Sequence, residues 1–215
     1  MKAIIFDFDG TLADTLPNCI FALQSVFQKY KSIDYLPQDV MNKFGPTEPE
    51  IIKKELPVHQ HEEAIQHFFQ IYEDNHLELV KSNESINQLL TYLKDRGFIL
   101  GIVTGKSSRA LHVSLKFLGI GKYFDIMLAG DDVTNPKPDP EGVHMILNKY
   151  KLRNDEAMFI GDSNADIEAG KAAKVVTVGV HWLDNVQSSH FHPAPDLFFN
   201  TTSKFMEYME TIHSN

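Results

Sequence analysis

The chain has 215 residues, of which 43% are hydrophobic and 23% charged, and its formal net charge is −9. This length holds one large domain or a domain with a sizeable insertion, and the acidic balance argues against nucleic-acid or anionic-membrane partners. Cys19 is the only cysteine, which excludes an internal disulfide. No apolar stretch is long enough to cross a bilayer and no signal peptide precedes the first apolar run, so a cytoplasmic protein is expected.

The first apolar run, Ala3–Phe6, reads as a buried parallel strand. Asp7-Phe8-Asp9-Gly10-Thr11 follows at once. Side chains alternate along a strand, so Asp7 and Asp9 should project to one side at its end. Two neighbouring carboxylates repel unless something positive sits beside them. Gly10 then permits a sharp turn.

From about Thr15 to Val80 no strand pattern occurs. Leu16, Ile20, Leu23 and Phe27 recur at helical spacing, as do Ile65, Phe68, Phe69 and Tyr72. Residues 15–80 therefore read as an all-helical insertion, too long for an ordinary connection. Residues 1–14 and 81–215 form the other part. There, helical patterns at Ser82–Arg96, Ser107–Leu118, Pro140–Tyr150 and Asn164–Ala173 alternate with apolar runs. The runs are Phe98–Val103, Ile126–Ala129, Ala157–Ile160, Val175–Val180 and the weaker Leu197–Phe199. Such alternation predicts an α/β fold, a parallel sheet with helices on both faces. Asp139 before Pro140 reads as a helix start, and Gly97 and Gly119 as helix ends. The polar segment Asn185–Pro195 reads as a loop.

Four segments fall at the C-terminal ends of predicted strands, the edge where open parallel sheets bind ligands. They are Asp7–Thr11, Thr104-Gly105-Lys106, Asn135–Pro140 around Lys137, and Gly161–Asp166 with Asp162 and Asp166. A hydroxyl beside a glycine amide, a lysine and four aspartates at one place suit a phosphate and a hard divalent cation.

These four segments in this order, with the helical insertion after the first, resemble the haloacid-dehalogenase superfamily of phosphotransferases over nearly the whole chain. Gly45-Pro46, Asp131-Asp132-Val133, Gly161-Asp162-Ser163, Asp166-Ile167 and Ala169-Gly170 are similar to its phosphoglycolate phosphatase branch, including pyrophosphatase members. The resemblance implies a Rossmann-like, doubly wound core with residues 15–80 as a mobile cap. It implies Asp7 as the nucleophile forming an aspartyl-phosphate, and Asp9 as general acid and then base. It implies Mg²⁺ held by the Asp7 carboxylate, the Asp9 backbone carbonyl and Asp162. Asp166 would be a further ligand or would orient a bound water. Thr104 and Gly105 would bind phosphate oxygens, and Lys137 would neutralise phosphate and Asp7. The substrate would be a small phosphorylated metabolite, phosphoglycolate or pyrophosphate first. Thr47 or Glu48, and Lys43, on or beside the Phe44-Gly45-Pro46-Thr47-Glu48 turn, are the expected substrate contacts from the cap. Lys174 stands where relatives commonly have glycine at a helix end.

Each feature also has a plainer reading. Asp7 and Asp9 alone could be a turn arrangement, and Asp166 a helix-start acid. Thr47-Glu48-Pro49-Glu50 has capping-box spacing. His59, His61, His67 and His76 are expected on the cap surface, and His190 and His192 in a solvated loop. Cys19 reads as a packing residue, and Trp182 as packing or as lining the site's mouth. Two other functions stay open: a beta-phosphoglucomutase-like phosphomutase, told apart by its product, and a catalytically silent binding module, which should have lost the aspartates.

Overall fold

A computed structural model describes residues 1–213. Six strands, β1 (Ala3–Phe6), β2 (Ile99–Val103), β3 (Ile126–Leu128), β4 (Ala157–Gly161), β5 (Val176–Val180) and β6 (Leu197–Phe199), form one sheet in the order β3-β2-β1-β4-β5-β6. Every neighbouring pair is parallel.

The alternation of β1 shows why the sheet needs helices on both faces. Ile4 and Phe6 point into one apolar cluster, with side chains of α6 (Glu84–Asp95), α7 (Ser108–Leu118) and α10 (Thr202–His213). Ala3 and Ile5 point into another, with α8 (Glu141–Tyr150) and α9 (Asn164–Ala172). A strand buried on both faces must be apolar throughout, as this one is. Helix α10 has no counterpart among the sequence-based expectations. Phe205 and Met209, one helical turn apart and fully buried, anchor it.

Between β1 and β2 the chain forms helices only: α1 (Leu16–Lys31), α2 (Pro37–Met41), α3 (Glu48–Glu55), α4 (His61–Asp74), α5 (His76–Leu79), and then α6 of the core. Helices α1–α4 surround an apolar cluster of their own, containing Leu23, Phe27, Ile52, Phe68 and Tyr72. One member, Ala110, comes from α7 of the sheet layer. Among the described residues no helix is long and apolar enough to cross a membrane.

One expectation for this region is corrected. His76 is not on the surface but fully buried. Its Nε2 lies 2.9 Å from Ser114 Oγ, and its ring stacks on Phe117. Burial, then Lys106, pull its pKa down to about 4. Tyr72 meets the same serine at 2.7 Å, so a buried polar contact joins the helical insertion to α7. The expected capping box is present in its acidic half, with Thr47 N donating to Glu50. Trp182 is a packing residue: it stands against Phe205 and donates to the Thr11 carbonyl at 2.7 Å.

Helix boundaries follow side-chain chemistry. Asn83 accepts from the amides of Ser85 and Ile86, so α6 begins at Glu84. Asp139 accepts from Glu141 N at 2.9 Å, so α8 starts one residue after Pro140. Gly97 and Gly119 have φ of +77° and +67°, as expected after helices. Lys174 does the same with a side chain, at φ +58°. An exposed L-residue in the left-handed region costs roughly 1–2 kcal/mol. Lys174→Gly should therefore raise stability by about 0.5–1 kcal/mol after glycine's larger unfolded-state entropy is subtracted. The check is a higher urea midpoint at unchanged m-value; a lower midpoint would show that Lys174 makes compensating contacts.

Candidate active site

The strand order reverses between β1 and β4, and both strands carry aspartates at their C-terminal ends. Asp7 follows β1 and Asp162 follows β4. Such a switch point opens a crevice because the connections on either side depart in opposite directions. Asp7 N still donates to Ile160 O at 2.8 Å, which extends the strand pairing to the site and fixes the Asp7 backbone. Phe8 turns into the core while Asp7 and Asp9 line the cavity.

Carboxylate oxygens of Asp7, Asp162 and Asp166 lie within 4.8 Å of one another, all buried. Lys137 Nζ bridges two of them, at 2.7 Å from Asp7 and 2.5 Å from Asp166. Asp162 accepts from Gln187 N at 2.6 Å and from Thr11 Oγ1 at 3.2 Å. Asp166 accepts from Ser163 N and Oγ at the start of α9. It therefore caps a helix and faces the site with its other oxygen. Gly10, at φ +80°, passes so close that a Cβ there would stand 2.2 Å from an Asp162 oxygen. Only glycine permits both that turn and that approach.

The electrostatics follow from burial. Desolvation first, then Asp166, push Asp7 up to about 7 against the pull of Lys137. Burial, then Asp7 and Asp166, raise Asp162 well above the ordinary carboxylate range. Burial works against the Lys137 ammonium, but Asp166 and Asp7 outweigh it and hold its pKa high. One ammonium does not neutralise three carboxylates. Clustered hard oxygens with residual negative charge suit a divalent cation of the Mg²⁺ kind.

A cavity of about 90 Å³ opens in front of this group. Thr104, Gly105, Lys106 and Lys137 line it from the sheet side, and Phe44, Gly45, Pro46, Glu48 and Ile51 from the helical insertion. Asp9 stands on its wall, held by Thr15 Oγ1 and by Lys106 Nζ at 3.0 Å. The Asp9 backbone carbonyl accepts from Gln187 Nε2 at 3.3 Å. Cys19 is a buried packing residue that also borders the cavity.

Asp7, Asp9, Thr104, Gly105, Lys137, Asp162 and Asp166 thus converge. Of the expected cap contacts, Glu48 lines the cavity, while Lys43 and Thr47 do not. Lys43 Nζ is 2.5 Å from Glu55 and lies over the Tyr35 ring. Thr47 begins α3 and sets its methyl group toward Gly130. Phe44, Gly45 and Pro46 of the same turn line it beside Glu48. Sequence reading placed Lys106 at the strand edge without a role of its own and passed over Gln187. Lys106 carried a signal, because it directly follows Thr104-Gly105. Gln187 carried none, lying inside a polar loop. His190 and His192 are exposed.

A model of the haloacid dehalogenase-like hydrolases matches residues 4–180. The pyrophosphatase PpaX of Bacillus velezensis is 36% identical over 182 residues, covering 85% of this chain and 84% of its own. Among solved structures, a "predicted phosphoglycolate phosphatase" from Haemophilus somnus superposes with a TM-score of 0.85 at 24% identity, covering 97% of this chain and 98% of its own. A Thermotoga maritima protein provisionally assigned as a beta-phosphoglucomutase has a TM-score of 0.76 at 25% identity, with 99% and 100% covered.

The raised carboxylates make stability depend on pH. Asp7 binds its proton more tightly folded than unfolded, where a carboxyl titrates near 4. Its contribution is complete below that value and is lost as pH rises through about 7; Asp162 acts in the same direction. The EDTA-treated protein should lose melting temperature between pH 5 and 8, and saturating Mg²⁺ should restore more at pH 8 than at pH 5. Thermal melts across that grid check it; the same Mg²⁺ effect at every pH would place the ion away from these carboxylates.

Proposed function

Because the chain belongs to the haloacid dehalogenase-like hydrolase family, we propose that it is a magnesium-dependent phosphatase for a small phosphorylated metabolite, pyrophosphate first and phosphoglycolate second. The observation that carries this reading is the buried Asp7–Asp162–Asp166 cluster bridged by Lys137 and faced by Asp9 across a small cavity.

The Asp7 carboxylate attacks phosphorus and forms an aspartyl-phosphate as the bond to the leaving oxygen breaks. Asp9 gives that oxygen a proton, then takes one from the water that hydrolyses the intermediate. Lys137 offsets negative charge on Asp7 and on the incoming phosphate, without which two anions would have to meet. The Thr104 hydroxyl and the Gly105 amide donate to the phosphate oxygens. Asp7, Asp162, Asp166 and the Asp9 carbonyl would hold Mg²⁺, whose charge, when it is bound, assists the same neutralisation.

The choice of substrate rests on size and relatedness. About 90 Å³ is well below the roughly 300–1,000 Å³ of pockets for drug-sized ligands, so a compact leaving group fits best. Pyrophosphate leads because the relatives named PpaX are the more similar in sequence, whereas the Haemophilus somnus likeness supports the fold alone. A phosphomutase is the second reading, favoured by the Thermotoga maritima likeness. The two differ in product, free phosphate against an isomerised sugar phosphate.

Phosphate release from a panel containing pyrophosphate, phosphoglycolate and hexose phosphates, with and without Mg²⁺, tests the reading. Asp7→Asn should keep the fold and lose more than about a hundredfold in kcat. Retained turnover would remove Asp7 as the nucleophile, and isomerisation without phosphate release would select the mutase.

A further inference from the structure

The cavity has a second cation that the proposed chemistry leaves without a task. Lys106 is fully buried as a side chain, yet its ammonium touches no phosphate-binding group. It meets both oxygens of Asp9, at 3.0 and 3.3 Å, and approaches Glu48 Oε1 at 3.5 Å. It lies 4.7 Å from the centre of the Tyr72 ring. Its backbone is fixed as well, with N donating to Thr104 Oγ1 and O accepting from Gly130 N. Glu48 is fixed in turn, because its other oxygen accepts from Ser107 N at 2.9 Å.

We propose that Lys106 is a positioning residue for Asp9 and that Glu48, reaching across from the helical insertion, completes its grip. A lysine is a long, flexible side chain that orders only when its partners surround it. Here Glu48 and Tyr72 come from the insertion and Asp9 from the sheet edge, so the ammonium is confined between them. Asp9 Oδ1 also takes the hydrogen bond from Thr15 Oγ1, while Oδ2 has only the longer lysine contact. This turns one oxygen toward the scaffold and leaves the other for the leaving group. The orientation of the proton donor thereby depends on α3 being seated against the sheet layer.

The inference rests on the phosphatase reading, and its test separates the two. Phenyl phosphate and p-nitrophenyl phosphate are nearly equal in size, but phenolate leaves far less readily without a proton. Lys106→Met, Glu48→Gln and the charge-free double variant Lys106→Met/Glu48→Gln would be compared with wild type on both, with Mg²⁺. General acid catalysis contributes on the order of 100-fold or more. Lys106→Met should therefore lower kcat for phenyl phosphate at least about ten times more than for p-nitrophenyl phosphate, with Glu48→Gln shifting the ratio in the same direction by less. Equal loss on both substrates overturns the proposal, since a merely structural role would not depend on the leaving group. A crystal structure of the double variant gives a reading without substrate. An Asp9 carboxylate turned from its wild-type direction supports the proposal, and an unmoved one overturns it. A wild type releasing phosphate from neither aryl ester, nor from pyrophosphate or phosphoglycolate, overturns the phosphatase reading, and the crystal structure then judges the hold on Asp9 by itself.

Discussion

Three carboxylates at the switch point of the sheet are the constraint around which the molecule is arranged. At an effective dielectric of 20, two unit charges about 4 Å apart repel by about 4 kcal/mol, and here three pairs lie within 4.8 Å. Three such terms rival the whole net stability of a typical domain, about 5–15 kcal/mol. The fold cannot hold all three ionised and uncompensated. It answers with the Lys137 bridge, with amide and hydroxyl donors to Asp162 and Asp166, and with tight proton binding by Asp7 and Asp162. A cation at this point would take over from the protons, so a site poorly stable by itself is suited to bind one.

The helical insertion supplies what the aspartate cluster lacks, namely shape and a second wall. Thr104, Gly105, Lys106 and Lys137 line the cavity from the sheet side. Phe44, Gly45, Pro46, Glu48 and Ile51 close it from the other. The enclosure is tight at one point: a Cβ on Gly130 would stand 2.7 Å from the Thr47 methyl carbon and 2.6 Å from the Gly105 carbonyl oxygen. Threonine at 47 and glycine at 130 thus set how closely α3 approaches the Thr104-Gly105-Lys106 loop.

Much of this was legible in the sequence where one local signal sufficed. Runs such as Ala3–Phe6 and Ala157–Ile160 reveal strands because burial on both faces leaves no room for polar residues. The aspartates could be placed because they follow those runs directly. What escaped depended on partners far along the chain. Lys43 and Lys106 are chemically alike, but Glu55 holds the first away from the cavity while Asp9, Glu48 and Tyr72 surround the second. His76 looks like a surface residue until Ser114, 38 positions on, is brought against it. Helix α10 is the exception, missed although it carried a local signal: Phe205, Met206, Tyr208, Met209 and Ile212 recur at helical spacing and all pack into one core cluster.

The apolar cluster of the insertion is completed by Ala110, a residue of α7 on the far side of β2, and the Tyr72–Ser114–His76 contact runs alongside it. The covalent boundary of the insertion and its energetic boundary therefore do not coincide. Excised at its two chain crossings, the segment would carry an open apolar face and a tyrosine and a histidine stripped of their shared hydroxyl. An insertion exchanged between relatives would keep its packing only if the face of α7 that bears Ala110 and Ser114 travelled with it. The unit that packs as one body is therefore discontinuous in the chain: one stretch between the first two strands, and a stripe of a helix that follows the second.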